Sequence, residues 1–539
     1  MANPVVAIVG RPNVGKSTLF NKIAGERISI VENTPGVTRD RIYYETSWNG
    51  RSFLMVDTGG IEPKTDDPIF RYMRLQSELA IDMADVIVFM TDVTVGLTAD
   101  DREVARMLQK SRKPVIPVVN KVDGVGALPS EFYEFYELGF ENDLIPVSSV
   151  HGSGTGDLLD KIVEYLPEQE VAQVVDSLMH TGTDYPRLLK TERPNIVFLL
   201  LESFTANAVE VLGGIPGVTP NLNQLAKEGV LFTNIYATGS RSDRGMVAAI
   251  SAVPSHPAVA MIKYPNKIME RPRFPKDLEE AGYSTRYYYA GDIDFGSFRS
   301  LVTMSFQGMV TEDDFSGEAM ANRFKWGVHD QYMFERLYED IAKARQPFMY
   351  MAFNMSSHEP FNVPGEVAIP GDDTEHKFLN AIHYSDACIG EFIRKCKASG
   401  LWDNTLFILM ADHGTRHIRH VDPSTPAAYH IPLILSGGAL NVQDTVVTTI
   451  GSQTDMVATV LAQLGMDHSG YKFSRNLLAD QVIPFAFFSY PNGAGVVTEK
   501  GSTYFSLQSQ TFVEKDSVKE DGRLLKAYLQ AINEDFNRQ

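Results

Sequence analysis

The chain has 539 residues, of which 44% are hydrophobic, 10% aromatic and 22% charged. This length predicts about two to four domains, and the composition excludes disordered, collagenous and coiled-coil proteins, because each of those classes needs a strong bias. With 49 basic and 68 acidic residues, the net charge of −19 argues against a protein that coats DNA or RNA. Two cysteines, Cys388 and Cys396, are too few for a disulfide framework or a zinc ribbon.

Neither a signal peptide nor a membrane span is predicted. The N-terminal apolar run Val5–Val9 leads into a glycine-rich loop, which indicates a strand. The longest apolar stretches, Ile196–Leu201 and Phe348–Met355, are far shorter than the roughly 20 residues that cross a bilayer. The sequence as written therefore predicts a cytoplasmic protein.

Residues 1–167 alternate apolar runs with amphipathic segments, which is the pattern of parallel strands joined by crossover helices. We therefore predict an α/β sheet for this part of the chain. The predicted strands are Val5–Val9, Phe53–Val56, Val86–Met90, Val115–Val119 and Leu144–Val147, and the predicted helices include Ser17–Ala24 and Asp101–Gln109. The polar residues 168–192 are predicted to be a linker.

Residues 193–539 show a second α/β pattern and are predicted to form another domain. Its predicted strands include Asn195–Leu201, Thr285–Tyr289, Phe348–Asn354, Thr405–Ala411 and Pro432–Ser436, and its predicted helices include Asn221–Glu228, Gln331–Ala344, Lys377–Ala398 and Asp455–Leu464. Residues 483–505 are expected to form a smaller antiparallel part around the turn Pro491-Asn492-Gly493. An amphipathic helix is predicted at Arg523–Phe536.

The first candidate site is a phosphate-binding loop between a predicted strand and a predicted helix, where the pattern G-x-x-x-x-G-K-[ST] is informative. The backbone N–H groups of such a loop wrap phosphates, Lys16 would reach the β- and γ-phosphate oxygens, and Ser17 would bind Mg²⁺. The loop consists of Gly10, Arg11, Pro12, Asn13, Val14, Gly15, Lys16 and Ser17, and Thr18 follows it.

Three further motifs follow in the order expected for a guanine-nucleotide site. Asp57 would stand beside the metal and Gly60 near the γ-phosphate, while Asp123 can accept both hydrogen bonds from the N1/N2 edge of guanine. The motif residues are Asp57, Thr58, Gly59 and Gly60; Asn120, Lys121, Val122 and Asp123; and Ser148 in Val147-Ser148-Ser149. Together these motifs predict GTP binding with Mg²⁺.

Residues 1–167 resemble the first GTPase domain of Der (EngA), a family of bacterial ribosome-assembly GTPases. The resemblance is carried by Gly10–Ser17, Asn33–Arg41 and Asp57–Ile61. It implies that Thr38 closes on Mg²⁺ and the γ-phosphate, that K⁺ binds near Asn13, and that the ribosome is a partner. Ile61 stands where many small GTPases hold a catalytic glutamine and cannot orient water, so slow hydrolysis is expected.

The second candidate site lies at predicted strand ends. Glu202 follows the strand Asn195–Leu201, and Asp412-His413 follows the strand Thr405–Ala411; such ends converge on one edge of a parallel sheet. Ser242 stands before the predicted helix Met246–Ala252 with an arginine on either side. A serine at a helix N-terminus is well placed to act as a nucleophile toward phosphate.

From about Arg193 onward, the sequence resembles the catalytic domain of lipoteichoic acid synthase-type phosphoglycerol transferases, within the alkaline phosphatase/sulfatase superfamily. The matching segments are Arg193–Val197, Tyr236–Ser242, Ser356–Phe361, Ala411–Gly414 and Tyr429–Pro432. The resemblance implies one divalent ion, Mn²⁺ or another, held by Glu202, Ser242, Asp412 and His413. It also implies that Ser242, in place of the family's threonine, is the nucleophile.

By the same resemblance, His358 holds the phosphoglycerol headgroup, and Arg241 is a candidate contact for the phosphate. The implied substrate is a phosphoglycerol-bearing lipid or another phosphodiester. The fold class expected for the whole chain is therefore an N-terminal P-loop GTPase domain followed by an alkaline phosphatase/sulfatase-like α/β domain. Three other histidines, His417, His420 and His430, are predicted to be structural or surface residues.

Sulfate-ester hydrolysis is disfavoured, because neither cysteine stands in the Cys-x-Pro-x-Arg context that a formylglycine nucleophile needs. A phosphodiesterase or phosphoethanolamine transferase of the same superfamily stays open, as does a non-catalytic binding module beside a ribosome-assembly GTPase. Since the resemblance implies a transferase that works outside the cytoplasmic membrane, no physical reason couples it to GTP hydrolysis. The sequence therefore favours a fusion or an artificial join of two reading frames.

Overall fold

The chain is divided into two compact units, Met1–Val171 and Ala172–Gln539. The computed structural model describes residues 4–24, 42–48, 51–58, 80–81, 84–124, 128–140, 144–166, 170–415, 417–507, 511–513 and 519–537. Within these ranges, no helix combines the length and the apolar character needed to cross a bilayer.

The first unit is built on a six-stranded sheet with the order β2-β3-β1-β4-β5-β6. Its strands are β1 (Val5–Val9), β2 (Ile42–Trp48), β3 (Arg51–Asp57), β4 (Val86–Asp92), β5 (Val115–Asn120) and β6 (Ile145–Pro146), and its helices are α1 (Lys16–Ala24), α2 (Ala99–Lys110) and α3 (Thr155–Tyr165). All pairs are parallel except β2 with β3, so the predicted parallel sheet gains one antiparallel edge strand where none was predicted.

Both faces of this sheet are covered by apolar side chains. Val6 and Ile8 of β1 pack with Phe20 in one core, whereas Ala7 and Val9 pack in another, since successive residues of a strand point to opposite faces. This burial on both faces explains the nearly continuous apolar runs in the sequence. It also fixes β1 and α1 on either side of the phosphate loop.

The second unit contains a nine-stranded sheet with the order β10-β9-β11-β7-β12-β13-β8-β14, and the short β15 also pairs with β8. Its strands are β7 (Asn195–Leu201), β8 (Val230–Tyr236), β9 (Ser284–Tyr289), β10 (Gly308–Val310), β11 (Phe348–Phe353), β12 (Thr405–Ala411), β13 (His430–Ser436), β14 (Thr445–Val447) and β15 (Gly451–Ser452). The central strand β7 is buried throughout and runs parallel to its neighbours β11 and β12. Strand β8 lies where none was predicted.

Ten α-helices that follow β7 in the described part of the chain surround this sheet and the smaller one after it. They are α5 (Pro220–Lys227), α6 (Ser242–Ser251), α7 (Pro265–Met269), α8 (Phe274–Glu280), α9 (Phe298–Ser305), α10 (Glu318–Ala321), α11 (Asp330–Ile341), α12 (Thr374–Ala398), α13 (Asp455–Gln463) and α14 (Lys519–Asn537). Helix α6 begins four residues before the predicted start at Met246. Its N-terminal residue is therefore the candidate nucleophile, Ser242.

A four-stranded antiparallel sheet completes the second unit, in agreement with the antiparallel part predicted there. Its strands are β16 (Phe485–Tyr490), β17 (Gly493–Thr498), β18 (Gly501–Ser506) and β19 (Thr511–Val513). Phe485 and Phe487 pack against Tyr528 of α14. The buried Arg475 pairs with Asp455 at 2.6 Å, which ties α13 to the segment that precedes this sheet.

The segment 168–192 differs from the predicted linker, because it contains helix α4 (Glu170–Met179). Val174 and Leu178 lie one helical turn apart and pack into the core formed by the antiparallel sheet and α14. Farther along, Leu189 forms an isolated bridge with Leu440, and Tyr185 donates a hydrogen bond to the carbonyl of Ala462. Much of this segment is therefore packed structure of the second unit.

Candidate functional site

The phosphate loop of the first unit lies between β1 and α1. The Lys16 ammonium donates hydrogen bonds to the carbonyls of Gly10 at 3.1 Å and Arg11 at 2.9 Å. Gly15 has a φ of 98°, and a Cβ there would lie 2.3 Å from Nδ2 of Asn120, so only glycine fits. Asn120 Nδ2 in turn donates to the carbonyl of Val14 at 2.7 Å.

At the C-terminal end of this loop, Ser17 is hydrogen-bonded to Asp57. Ser17 Oγ donates to Asp57 Oδ2 at 2.6 Å. Burial lowers the pKa of Lys16 to about 8, although the nearby Asp57 opposes this shift. Burial also raises the pKa of Asp57, against the effects of the Ser17 hydrogen bond and Lys16. A buried lysine in the loop, beside a hydroxyl and a carboxylate that could ligate a metal, suits a Mg²⁺-bound nucleotide phosphate.

The nucleotide-base end is preformed by side-chain bonds among the predicted residues. Ser148 Oγ donates to Asp123 Oδ1, and Ser149 N donates to Asn120 Oδ1 at 3.0 Å. Lys121 forms an ion pair with Asp92 at 2.6 Å. These bonds hold the Asp123 carboxylate, the residue predicted to bind guanine, in a fixed position.

Five of the predicted nucleotide-site residues are not seen in a binding geometry: the Thr58 side chain is bonded to the protein backbone, and the other four lie outside the described residues. Thr58 is buried and its hydroxyl donates to the carbonyl of Ile8 at 2.7 Å, which is a structural role. Four predicted site residues lie outside the described residues: Thr38, Gly59, Gly60 and Ile61.

In the second unit, Glu202, Asp412 and His413 form a cluster whose ligand atoms lie within 4.8 Å of one another. The strand register explains this proximity, because Leu201 of β7 is paired with Ala411 of the parallel strand β12. The residues that follow the two strands therefore emerge side by side. His413 Nε2 lies 3.4 Å from Asp412 Oδ2 and 3.7 Å from Glu202 Oε1.

Ser242, the first residue of α6, completes the cluster. Its hydroxyl donates to Glu202 Oε2 at 3.1 Å and lies 3.3 Å from His413 Nε2. At the turn after β7, Ser203 has a φ of 59°, and its N–H donates to Asp412 Oδ1 at 2.9 Å. A backbone held in the left-handed region at this point is typical of a functional site.

The donor set fits a divalent cation. His413 Nδ1 is 2.7 Å from the carbonyl of Gly414 and donates to it, which leaves Nε2 as an acceptor directed at the carboxylates. Asp412 Oδ2 is buried and has no hydrogen-bond donor. Two carboxylates, an imidazole nitrogen and a hydroxyl suit ions such as Mn²⁺. The residues assigned to the metal by resemblance thus lie where one ion could contact all of them.

Electrostatics in the cluster also favour a cation. Burial, together with the neighbouring Glu202, raises the pKa of Asp412 to about 7. Burial lowers the pKa of His413, but Asp412 and Glu202 outweigh that effect and raise the pKa overall. Without a positive charge, the two buried carboxylates repel each other, and a bound ion would remove that cost.

A cavity of about 950 Å³ opens onto the cluster. Ser242 and His413 line it, and so does His358, whose ring lies 4.7 Å from that of Trp326. Arg241 also lines the cavity; its side chain is 74% exposed, and its Nε lies 4.0 Å from Asp243 Oδ1. The predicted nucleophile, headgroup histidine and arginine therefore share one cavity.

The three remaining histidines have different surroundings. His430 lies against the carbonyl of Thr233 at 2.7 Å and stacks on Tyr236, so its role is structural. His420 is exposed. His417, in contrast, lines the cavity beside the ring of Phe361.

Sequence reasoning missed several residues around the cluster. Lys263 and the aromatic side chains of Tyr289, Phe295 and Trp326 line the cavity but match no motif considered above. Asn354 follows β11 and accepts a hydrogen bond from the N–H of Glu202 at 2.8 Å. The strand-end rule that identified Glu202 would also have found Asn354, because β11 is the other parallel neighbour of β7.

Comparisons with known proteins agree with these geometries. Residues 194–466, just over half of the chain, match the Sulfatase family. The chain belongs to this family. Outside the sulfatase-family region, residues 5–121 match the family described as 50S ribosome-binding GTPase.

The N-terminal part of the chain is similar to curated proteins named GTPase Der. GTPase Der of Acetivibrio thermocellus is 50% identical over 220 residues, which are 41% of this chain and 48% of that protein. GTPase Der of Ruminiclostridium cellulolyticum is 48% identical over 244 residues, which are 45% of this chain and 54% of that protein. The chain spans about half the length of these relatives.

Solved structures match the sulfatase-family unit. A protein in the alkaline phosphatase superfamily from Vibrio parahaemolyticus matches with a TM-score of 0.60 and 26% identity, covering 69% of this chain and 96% of that one. The lipoteichoic acid synthase LtaP from Listeria monocytogenes matches with a TM-score of 0.56 and 20% identity, covering 68% and 98%. The predicted fold class and both predicted family resemblances are confirmed.

Proposed function

We propose that the second unit is a metal-dependent phosphotransferase that uses Ser242 as a covalent nucleophile on a phosphodiester. The observation that carries this proposal is the position of Ser242 Oγ, which is 3.1 Å from Glu202 Oε2 and 3.3 Å from His413 Nε2. A hydroxyl at the N-terminus of α6, beside a cluster that fits a divalent ion, is suited to attack phosphorus.

Before the proposed first step, Ser242 Oγ releases its hydroxyl proton to solvent. The resulting alkoxide bonds to phosphorus while the bond from phosphorus to the leaving alcohol breaks, and the second step regenerates the same alkoxide. The alcohol needs a proton, and we propose that His358, which lines the cavity, delivers it. In the second step an acceptor hydroxyl attacks phosphorus, its proton passes to His358, and Ser242 is released. An ion held by Glu202, Asp412, His413 and Ser242 would lower the pKa of the serine hydroxyl and neutralise charge on the phosphoryl oxygens.

The proposed donor is a phosphoglycerol-bearing lipid. This choice is supported by the resemblance of Ser356–Phe361 and Ala411–Gly414 to lipoteichoic acid synthase-type enzymes and by the fold shared with LtaP. Arg241 and Lys263 at the cavity suit the anionic phosphate of such a donor. A phosphoethanolamine transferase would use the same steps with a different headgroup.

The proposed activity is tested with full-length protein on a chromogenic phosphodiester, bis(p-nitrophenyl) phosphate, after removal of metal and addition of MnCl2. We expect turnover that depends on Mn²⁺, and no turnover of p-nitrophenyl sulfate. Hydrolysis of the sulfate ester with an inert phosphodiester would contradict the proposal. A protein that binds Mn²⁺ and turns over neither ester would favour the non-catalytic binding module.

A second proposal concerns the N-terminal GTPase domain. We infer that it binds GTP with Mg²⁺, requires K⁺ near Asn13 for full turnover, and contacts the ribosome, as the match of residues 5–121 to the 50S ribosome-binding GTPase family suggests. The preformed Asp123–Ser148 and Asn120–Ser149 bonds support guanine binding. GTP hydrolysis should be faster in KCl than in NaCl, and equal rates would remove the proposed role of Asn13. Cosedimentation with 50S subunits in GTP and in GDP tests the ribosome contact.

We further propose that the two units act independently, as expected for a fusion or an artificial join. Each unit contains its own set of site residues: the phosphate loop and base-binding motifs in the first, and the Ser242 cluster in the second. Sequencing genomic DNA across codons 165–195 tests the origin of the chain. An uninterrupted native reading frame would exclude an artificial join.

A further inference from the structure

The buried Asp330, the first residue of α11, is bonded to the segment that follows β11. Its Oδ1 accepts hydrogen bonds from the backbone N–H groups of Met355 at 2.9 Å and Ser356 at 3.0 Å. Its Oδ2 accepts from Asn354 Nδ2 at 3.0 Å and from Ser385 Oγ at 2.6 Å. With four donors on one carboxylate that is only 1% exposed, Asp330 holds this segment in a single conformation.

The segment held by Asp330 in turn holds Glu202. Asn354 Oδ1 accepts the N–H of Glu202 at 2.8 Å, and Ser357 Oγ donates to the carbonyl of Glu202 at 2.7 Å. The next residue, His358, lines the cavity, and its N–H donates to the carbonyl of Met355 at 2.9 Å. The Asp330 carboxylate therefore supports, through this segment, both Glu202, the candidate metal ligand, and His358, the candidate headgroup histidine.

We infer that Asp330 is a positioning residue, which fixes Glu202 through Asn354 and sets the place of His358. This inference rests on the function proposed for the Ser242 cluster. A carboxylate can only accept hydrogen bonds, so Asp330 requires Asn354 to direct its NH₂ group toward α11. The amide oxygen of Asn354 must then face the N–H of Glu202. Asp330 thus directs this amide without touching metal or substrate, and the hydroxyls of Ser357 and Ser385, which accept from the same NH₂ group at 3.2 and 3.3 Å, favour the same orientation.

The substitution Asp330→Asn tests this positioning role because it replaces one carboxylate oxygen, which accepts hydrogen bonds, with an NH₂ group, which donates them. The amide oxygen of the new side chain would stay with the N–H groups of Met355 and Ser356, so its NH₂ group would face Asn354. Asn354 must then turn over and present its own NH₂ group to the N–H of Glu202, which breaks that bond. Since supporting partners of metal ligands typically contribute 10–100-fold, we expect the Kd for Mn²⁺ to rise by about that factor.

The double variant Asp330→Asn/Asn354→Asp restores the pattern of donors and acceptors. The amide at position 330 can donate to one carboxylate oxygen at position 354, and the other oxygen can accept the N–H of Glu202. We expect the Kd for Mn²⁺ to return to within about threefold of the wild-type value, which corresponds to less than about 1 kcal/mol. A purely structural role of Asp330 gives no reason for rescue by a second substitution.

Asp386→Asn is the matched control. Asp386 is also fully buried and accepts hydrogen bonds from Asn221 N at 2.9 Å, Asn221 Nδ2 at 2.8 Å and Leu222 N at 2.8 Å. It joins α12 to α5 and, among the described residues, makes no hydrogen bond to Glu202 or to the 354–358 segment. Its substitution should lower the melting temperature of the metal-free protein without changing the Kd for Mn²⁺.

The experiment is calorimetric titration of MnCl2 into metal-free, nucleotide-free full-length protein, with thermal unfolding and kcat/KM on bis(p-nitrophenyl) phosphate measured in parallel. Weaker Mn²⁺ binding in Asp330→Asn, rescue in the double variant and wild-type binding in Asp386→Asn would support the inference. Wild-type Mn²⁺ affinity in Asp330→Asn, or equal weakening in Asp386→Asn, would overturn it.

If Asp330→Asn does not fold, Ser385→Ala removes only one of the four bonds to the carboxylate, and it should weaken Mn²⁺ binding by about three- to tenfold. Unchanged binding in this variant would overturn the inference as well. A wild-type protein that binds no Mn²⁺ would instead overturn the proposed function, and the inference with it.

Discussion

Gly245 packs directly against the backbone of Asp412: a Cβ built at Gly245 would lie 2.2 Å from the carbonyl oxygen of Asp412. Gly245 is in the first turn of α6, and Asp412 follows the last residue of β12. This close approach of a helix to a strand end is possible only without a side chain. It brings Ser242 Oγ within 3.3 Å of His413 Nε2.

Gly245→Ala should therefore displace the first turn of α6 and separate Ser242 from the cluster. Because a misplacement of about 1 Å can cost about a hundredfold in rate, we expect kcat/KM on a phosphodiester to fall by about that factor. Gly470→Ala is the control, since its Cβ would meet nothing closer than Pro272 at 3.8 Å. Equal activity of Gly245→Ala and Gly470→Ala would show that the close contact does not position the nucleophile.

Metal removal should lower the stability of the second unit, because Glu202 and Asp412 are buried together and Asp412 Oδ2 has no hydrogen-bond donor. At an Mn²⁺ concentration of one hundred times the Kd, binding should stabilise the folded state by about 2.7 kcal/mol. Thermal unfolding followed by calorimetry in EDTA and in MnCl2 measures this difference. Asp412→Ala should abolish the shift, and identical melting of wild-type protein in both buffers would argue against a metal site.

Lys16→Ala should separate the activities of the two units. The substitution removes the Lys16 ammonium, which is held in the phosphate loop by the carbonyls of Gly10 and Arg11 and is predicted to reach the nucleotide phosphates, so GTP hydrolysis should fall to background. Turnover of bis(p-nitrophenyl) phosphate should stay at the wild-type rate, because the Ser242 cluster lies wholly in the other unit. Both rates are measured on the same preparation. A phosphodiester rate that changes with Lys16→Ala or with added GTP would reveal coupling between the units.

Asp123→Asn should change nucleotide preference from guanine to xanthine. The amide presents a donor where guanine needs a second acceptor, whereas the extra oxygen of xanthine can accept that hydrogen bond. Competition between GTP and XTP for binding to the nucleotide-free protein measures the preference. Retention of wild-type GTP affinity in this variant would refute the assignment of Asp123 to the base.

The strands that carry the metal cluster are predictable from sequence. The central strand Asn195–Leu201 and its neighbour Thr405–Ala411 are found with the predicted bounds, because each is a buried, almost continuously apolar run followed by acidic or imidazole side chains. Their parallel pairing then places Glu202 beside Asp412 without further information. The phosphate loop is equally local, since its chemistry depends on eight consecutive residues.

Other features depend on contacts between distant residues and leave no local pattern. Asp330 bonds to Asn354, which lies 24 residues away, and nothing near either residue indicates that they meet. Helix α4 lies in a segment that is predicted to be a linker because its residues are polar. This helix is stabilised by the core that Leu178 shares with Phe473 and Tyr528, which lie about 300 and 350 positions later in the chain.

The most direct test of the central claim is the detection of a covalent adduct on Ser242. Full-length protein with Mn²⁺ is mixed with a phosphoglycerol phosphodiester, quenched in acid and examined by intact mass and peptide mapping. We expect a phosphoglycerol adduct on Ser242 that is absent from Ser242→Ala, in which turnover falls by several orders of magnitude. Thr238→Ala should keep the adduct and most activity, because the buried Thr238 hydroxyl accepts a hydrogen bond from Ser255 N at 3.1 Å. An adduct on Thr238, or full activity in Ser242→Ala, would contradict the account.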